Sequence, residues 1–332
     1  MKRISVVILN WNGRHFLERF LPSLMAFTPR DYAEVVVADN GSTDDSIVFL
    51  KKFFPEVRLI LLDRNYGFTG GYNRALAQLE SDYFVLLNSD VEVTQGWLVP
   101  LVDLMESDEN IAAVMPKIRS YDRREYFEYA GACGGLIDIF GFPYCRGRIL
   151  NRIERDKGQY DTSVEIFWAS GAAMFVRAEL YKRFGGLDES YFAHMEEIDL
   201  CWRFKNAGYK IMVEPASVVY HVGGGTLPNE SPRKLYLNFR NNLSTLYKNL
   251  PGMRLFPIMF IRMCMDGMIA LGYLFKGKFS FFKAVLKAHI GFYRQLPQLR
   301  VKRKAIPVKC IGLTGMLKGS LAFLLLKKQT NE

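Results

Sequence analysis

Four short apolar runs near the start of the chain constrain its fold more than any other feature. Residues 4–9, 34–38, 57–62 and 83–87 are continuous and rich in Val, Ile and Leu. Runs of this kind read as parallel strands covered on both faces, because a half-exposed strand would alternate polar and apolar positions. Between the first two runs, Phe16, Leu17, Phe20, Leu21 and Leu24 recur at the spacing of one helical face. A second helix is expected after Ser42-Thr43-Asp44, whose side chains suit an N-cap, and a third over residues 71–79. This strand–helix alternation predicts an α/β fold: a doubly wound, mostly parallel sheet with helices on both faces.

Polar residues gather where the runs end. The first strand leads into Asn10-Trp11-Asn12-Gly13, the second into Asp39-Asn40-Gly41-Ser42 and the fourth into Asn88-Ser89-Asp90. A single such terminus is an ordinary turn. Three on one edge point to a site, since open α/β sheets bind ligands at the carboxyl ends of their strands.

The 332-residue chain is long enough for one large domain with an appendage, and 49% apolar with 23% charged residues is the balance of a folded globular protein. Five cysteines are widely spaced without a Cys-x-x-Cys pair, which argues against a zinc site and a disulfide framework and for a reducing, cytoplasmic setting. Lys2 and Arg3 precede an apolar run that stops at Asn10, too short for a targeting segment. The net charge of +10 is local: residues 251–332 carry 15 Lys/Arg against 2 acids, while the first 250 residues sum to −3. No nucleic-acid reading motif accompanies that charge, so nucleic acid is not an expected partner. From residue 120 to 159 the pattern weakens into glycine-marked loops, followed by a strand-like stretch over 164–168.

Three constellations carry chemistry. Asp90, just past a buried strand, is a hard-oxygen ligand suited to Mg2+ or Mn2+. Glu196, Glu197 and Asp199 fall in the first turn of a helix defined by Ile198, Cys201, Trp202 and Lys205 and closed by Gly208. Complementing the helix dipole explains acids there, but not three in four positions, since like charges 4 Å apart repel by about 4 kcal/mol at an effective dielectric near 20. A cation or a proton-transfer task explains them better. His221 ends a strand just before Gly223-Gly224-Gly225, where glycine lets a ligand approach the backbone; a capped strand end with a loop is the plainer alternative.

In order, these segments resemble glycosyltransferase family 2, the inverting transferases of GT-A type, and especially its bacterial rhamnosyltransferase-like members. The resemblance runs from Ser5-Val6-Val7-Ile8-Leu9-Asn10-Trp11-Asn12-Gly13 through Val37-Ala38-Asp39-Asn40-Gly41-Ser42-Thr43-Asp44 to Arg64-Asn65-Tyr66-Gly67 and Phe68-Thr69-Gly70-Gly71-Tyr72-Asn73. It continues with Leu87-Asn88-Ser89-Asp90, Gly171-Ala172-Ala173-Met174-Phe175-Val176-Arg177, Glu196-Glu197-Ile198-Asp199-Leu200-Cys201-Trp202-Arg203 and His221, spanning residues 1–250. It implies that Asn10, Trp11, Asp39, Asn73 and Asn88 face a nucleotide-sugar donor, that Asp90 and His221 hold the metal, and that Glu197 is the catalytic base. Glu196, Asp199 and Trp202 would support the acceptor side. Two departures stand out: Asn88 replaces the first carboxylate of the family's Asp-x-Asp pair, and Glu197 stands where the family has aspartate. A sugar nucleotidyltransferase, and a catalytically silent membrane adaptor, are the alternatives.

Residues 251–332 form the expected second unit, basic, aromatic-rich and helical. Residues 255–275 are apolar enough to raise a membrane question, yet contain Arg262 and Asp266, each costing about 2.5–3.5 kcal/mol at the centre of a spanning helix. Four residues apart, the two could pair on one face. An amphipathic helix lying on an anionic membrane is the preferred reading, with residues 276–303 adding Lys-rich, aromatic surface and residues 321–326 a last apolar patch. The expected acceptor is accordingly a glycan or a lipid-linked intermediate, met peripherally at the inner face of the cell membrane.

Overall fold

The computed structural model describes residues 2–223, 231–306 and 308–321. Strands β1 (Ile4–Asn10), β2 (Ala33–Asp39), β3 (Arg58–Leu61) and β4 (Tyr83–Leu87) alternate with helices α1 (Arg14–Phe27), α2 (Ser46–Phe53) and α3 (Gly67–Leu76). The four strands are parallel, with β1 between β2 and β4 and β3 beyond β2. Asn10 stands level with Asp39, and Ile8 with Leu87, so the polar strand ends share one edge. Helix α1 lays Leu17, Phe20, Leu21 and Leu24 inward, as their spacing requires. Helix α3 begins four residues earlier than expected because its glycines are packing positions: a side chain at Gly71 would meet Leu9 at 2.8 Å, so only glycine lets the helix sit down on β1.

Next come β5 (Val91–Val93), α4 (Leu98–Ser107) and β6 (Ile111–Ser120). The stretch read as loops holds four short strands, β7 (Gly135–Asp138), β8 (Pro143–Cys145), β9 (Arg148–Ile149) and β10 (Arg152–Ile153), joined as an antiparallel meander. Strands of two to four residues are too brief to show a period, which is why sequence patterning passes over them.

The chain continues through β11 (Val164–Ile166), β12 (Ala173–Arg177), α5 (Ala178–Arg183), a 3-10 turn (Glu189–Tyr191), α6 (Glu196–Asn206) and β13 (Lys210–His221). These complete a nine-stranded sheet ordered β11-β13-β6-β12-β4-β1-β2-β3, with β5 also on β13. Strand β12 is antiparallel to β4, β13 is parallel to β6, and a register shift between Glu214 and Val218 lets β13 carry His221 to the polar edge.

Helices α7 (Pro232–Asn249), α8 (Gly252–Phe275) and α9 (Phe279–Ala305) follow, then β14 (Met316–Leu317). Residues 251–321 are not a detached appendage. Met316 pairs with Ile137 in the small sheet, Cys310 N donates to Asn206 Oδ1 at 2.9 Å, and Leu321 N donates to Asp138 Oδ2 at 2.9 Å. Leu321 is buried there rather than offered to lipid, and residues 322–326 of the expected apolar patch lie outside the described residues, as do Gly224 and Gly225.

Candidate active site

The donor edge is a hydrogen-bonded set of turn residues. Asn10 is fully buried and donates from Nδ2 to Asp39 Oδ1 at 3.0 Å and to Ser42 Oγ at 3.2 Å, while its Oδ1 is buried without a partner. A side chain at Gly13 would meet that oxygen at 2.5 Å, so glycine keeps the space above it clear. Asp39 also accepts from Ser42 N at 2.9 Å, which leaves acceptor sites on its carboxylate. Trp11 stands half exposed beside them, a flat surface free for stacking. Two residues that stand at these strand ends with no role assigned to them lock the frame. Asn12 Oδ1 accepts from Thr43 N at 2.7 Å, and buried Asn40 binds Gly67 O at 3.0 Å and Tyr66 N at 3.0 Å, tying the β2 end to the start of α3.

The turn Asn88-Ser89-Asp90 links β4 to β5, and β5 pairs with β13 so that Val91 faces His221. Asp90 Oδ1 therefore lies 3.2 Å from His221 Nε2, with Asn88 Nδ2 at 3.5 Å from the same nitrogen. Burial disfavours the imidazolium, but Glu128 and Asp90 outweigh it and push His221 up to about 10, so the contact is a charged hydrogen bond. The pair could hold Mg2+ or Mn2+ only after His221 gives up its proton, and no cluster of three or more His, Cys, Asp or Glu side chains placed for a metal occurs among the described residues. Glu128 Oε2 lies 3.5 Å from His221 Nδ1, an ion-pair distance without a hydrogen bond, close enough for a small shift to let the carboxylate orient the imidazole. Glu128 comes from the stretch read as loops, where nothing in the sequence singles it out.

Across the edge, β12 brings Ala172 against the same turn, with Asn88 N donating to Ala172 O at 3.0 Å. Gly171 adjoins it, and a side chain there would meet Phe68 at 3.3 Å and Glu197 Cβ at 3.9 Å. Glu197 thus enters the site from the first turn of α6. The three acids of that turn have different fates. Glu196 is buried with Oε2 unpartnered, and burial followed by the charge of Glu197 raises its pKa well above the carboxylate range. Burial also raises Glu197, to about 7, with its Oε2 likewise unpartnered. Burial opposes ionisation of Asp199, but Lys248 at 2.9 Å and Arg203 at 3.0 Å overcome it and hold the pKa below its usual value. Packing therefore relieves the repulsion anticipated among these acids, leaving one carboxyl poised near neutrality.

Three expected roles change. Asn73 does not face the donor; its amide pairs with the Leu187 backbone in both directions, at 2.7 and 3.0 Å, and accepts from Tyr181 at 2.8 Å. Trp202 is buried against Phe167, with ring centroids 5.2 Å apart, and belongs to the core rather than to an acceptor surface. Asp199 is fully buried in the Lys248–Arg203 network and presents no surface to an acceptor.

The approach to α6 is strained. Phe192, His194 and Met195 have φ of 67°, 69° and 72°, left-handed values costing about 1–3 kcal/mol each in residues other than glycine. Asn241 on α7 offsets that cost: its Nδ2 donates to Tyr191 O at 3.1 Å, Ala193 O at 2.9 Å and His194 O at 2.8 Å. Phe68 N donates to Phe192 O at 2.9 Å, joining this loop to α3. A lone Asn in a polar helix carries no sequence signal of such a task.

A parallel sheet edge lined with polar turns, a paired Asp90 and His221, and a near-neutral glutamate opposite them define a GT-A-type sugar-transfer enzyme. The chain belongs to glycosyl transferase family 2, which it matches over residues 5–184. It is 30% identical over 233 residues to the N-acetylglucosaminyl-diphospho-decaprenol L-rhamnosyltransferase of Mycobacterium tuberculosis, covering 66% of this chain and 75% of that one. It is 24% identical over 226 residues to the rhamnosyltransferase WbbL of Escherichia coli strain K12, covering 66% and 83%. Its fold is similar to that of GalNAc-T7 solved with UDP, GalNAc and Mn2+, at a TM-score of 0.59 and 18% identity over 76% of this chain and 49% of that one. The protein is a glycosyltransferase. Arg14, the basic residue closest to the first strand end, stacks on Phe49 at 3.6 Å and pairs with Glu18 at 2.7 Å, so it is not free to grip a triphosphate as a nucleotidyltransferase would require.

Proposed function

We propose that this enzyme moves a sugar, with inversion, from a UDP- or dTDP-linked donor to a glycan or lipid-linked acceptor in cell-surface polysaccharide assembly. It works peripherally at the inner, anionic face of the cell membrane. The observation that carries the reading is Glu197, a carboxyl with no counter-ion and with Oε2 unpartnered, raised by burial to about 7 near the turn that holds Asn88 and Asp90. Asn10 and Asp39 read the base or ribose through their remaining polar atoms, and Trp11 stacks on the base. Asn88 stands beside the diphosphate. Asp90 and His221, once the imidazole is neutral, would hold Mg2+ or Mn2+, which would supply positive charge to the leaving diphosphate. Glu197 takes the proton from the acceptor hydroxyl, whose oxygen attacks the anomeric carbon opposite the departing diphosphate; a positioned base of this kind contributes about 10²–10⁴-fold. Glu196, held neutral beside it, keeps a second negative charge away from the forming bond.

The family relatives named for rhamnosyl transfer, one of them to a decaprenol-linked acceptor, support rhamnose among the donors to try first. Screening nucleotide sugars with a polyprenyl-diphosphate-linked acceptor should show nucleoside diphosphate release that needs Mg2+ or Mn2+. Pyrophosphate release from a nucleoside triphosphate and a sugar phosphate would instead assign a nucleotidyltransferase. No release from any donor would leave only an adaptor.

A further inference from the structure

Helix α8 has its polarity inverted relative to a core helix. Its inward face carries charge, with Arg262 and Asp266 buried among Ile258, Met259 and Ala270: the two pair at 2.7 Å, Arg262 donates to Phe140 O at 3.0 Å and to Asn242, and Asp266 meets His289 at 3.1 Å. The outward face is apolar along the whole helix, with Met253, Phe256, Phe260, Cys264, Met268, Leu271 and Phe275 at successive three- and four-residue steps. Met253, Phe256 and Phe275 are 92%, 79% and 86% exposed. A continuous apolar stripe of this length on a soluble surface marks an interaction face.

The surrounding charge says which partner fits. Beyond residue 250 the only acids are Asp266, which is buried, and Glu332, which lies outside the described residues. Arg254, Lys276, Lys278, Lys283, Lys287 and Arg294 are all exposed on or beside the two helices, and Leu286, Ile290 and Tyr293 are interleaved with them on α9. Apolar side chains ringed by cations suit acyl chains beneath anionic headgroups, whereas a protein partner would have to supply matching acids around a hydrophobic groove.

We infer that α8 is an in-plane membrane helix, sinking its Met253–Phe275 stripe into an anionic leaflet while α9 lays its lysines on the headgroups. The helix is 24 residues long and apolar enough to cross a bilayer, but its inner face is fastened to Phe140 and Asn242. Crossing would pull the small sheet and α7 into hydrocarbon, so α8 lies flat. This surface rests on the reading of the acceptor as membrane-held and gives it a contact site. The charges that seem to forbid a membrane are the ones that orient the helix toward it.

The test uses the full chain. Cys264 is exposed within the stripe and provides a site for a polarity-sensitive fluorophore, in a Cys310→Ser background. With vesicles containing about 30 mol% anionic lipid, the protein should float and the fluorophore should shift to the blue, more weakly at high salt. The variant Phe256→Ser/Phe260→Ser/Leu271→Ser should lose at least about tenfold in vesicle affinity while keeping its nucleotide affinity. Equal flotation of that variant overturns the inference. So does a chain that binds no vesicle and instead sediments as a dimer broken by the same substitutions. Resistance to alkaline extraction from membranes overturns the in-plane arrangement. Stripe-dependent vesicle binding without turnover of any nucleotide sugar would uphold the surface and sink the transferase reading alone.

Discussion

The two sides of the active site are built by opposite means. On the donor edge, Asn10 Nδ2, Asp39 and Ser42 are tied together by ordinary hydrogen bonds that leave only Asn10 Oδ1 without a partner, and Asn12 and Asn40 brace them. On the acceptor side, Glu196 and Glu197 are denied counter-ions and each keeps Oε2 unpartnered, and the loop before them is held in a strained conformation by Asn241. A recognition surface can be assembled from turn residues that sit comfortably where the chain leaves each strand. A base near neutrality needs burial without a counter-ion, which only tertiary packing supplies.

That division can be broken by substitution. The largest effect belongs to Glu197→Gln, which should lower kcat by about 10²–10⁴-fold while leaving nucleotide affinity within about threefold, measured by initial rates and calorimetry. A comparable loss of nucleotide affinity would mean that the two sides are not separate. Asp90→Ala should do the reverse, weakening Mn2+ and nucleotide binding together, and Glu128→Gln should weaken Mn2+ binding by about 10–100-fold, read by electron paramagnetic resonance titration. Unchanged Mn2+ affinity in Glu128→Gln would show that His221 needs no orienting partner. Asn241→Ala removes a donor shared by three loop carbonyls, of which Tyr191 O keeps Arg240 and Ala193 N, and should cost about 1–3 kcal/mol of stability. It should also lower kcat about tenfold with the donor KM unchanged, whereas a loss of stability at constant kcat would reduce Asn241 to a structural role.

The legible parts of the fold were those with a period. Helix α1 and the first four strands follow from residue spacing, and the polar edge follows from what stands at their ends. The short strands from Gly135 to Ile153 were invisible because two to four residues show no alternation. Asp90, His221 and Glu197 were nameable from motif order, but their separation, and the burial that raises Glu197, depend on β5 pairing with β13 and on α6 docking. Asn73 and Trp202 share motifs with site residues yet serve the frame, since a motif records neighbours in sequence and not the direction of a side chain. Helix α8 makes the same point differently: Arg262 and Asp266 pair as their spacing allowed, but only their contacts with Phe140, Asn242 and His289 show that they face inward.

The central claim is that Glu197 is the base, and its pH dependence tests this most directly. Burial holds the carboxyl protonated until the pH approaches about 7, so the base is absent below that value and present above it. Single-turnover sugar transfer at saturating donor should therefore rise through pH 7 and level off in the native enzyme. In Glu197→Gln the slow residual rate should lack that limb. An ascending limb that persists in the variant would place the proton acceptor elsewhere.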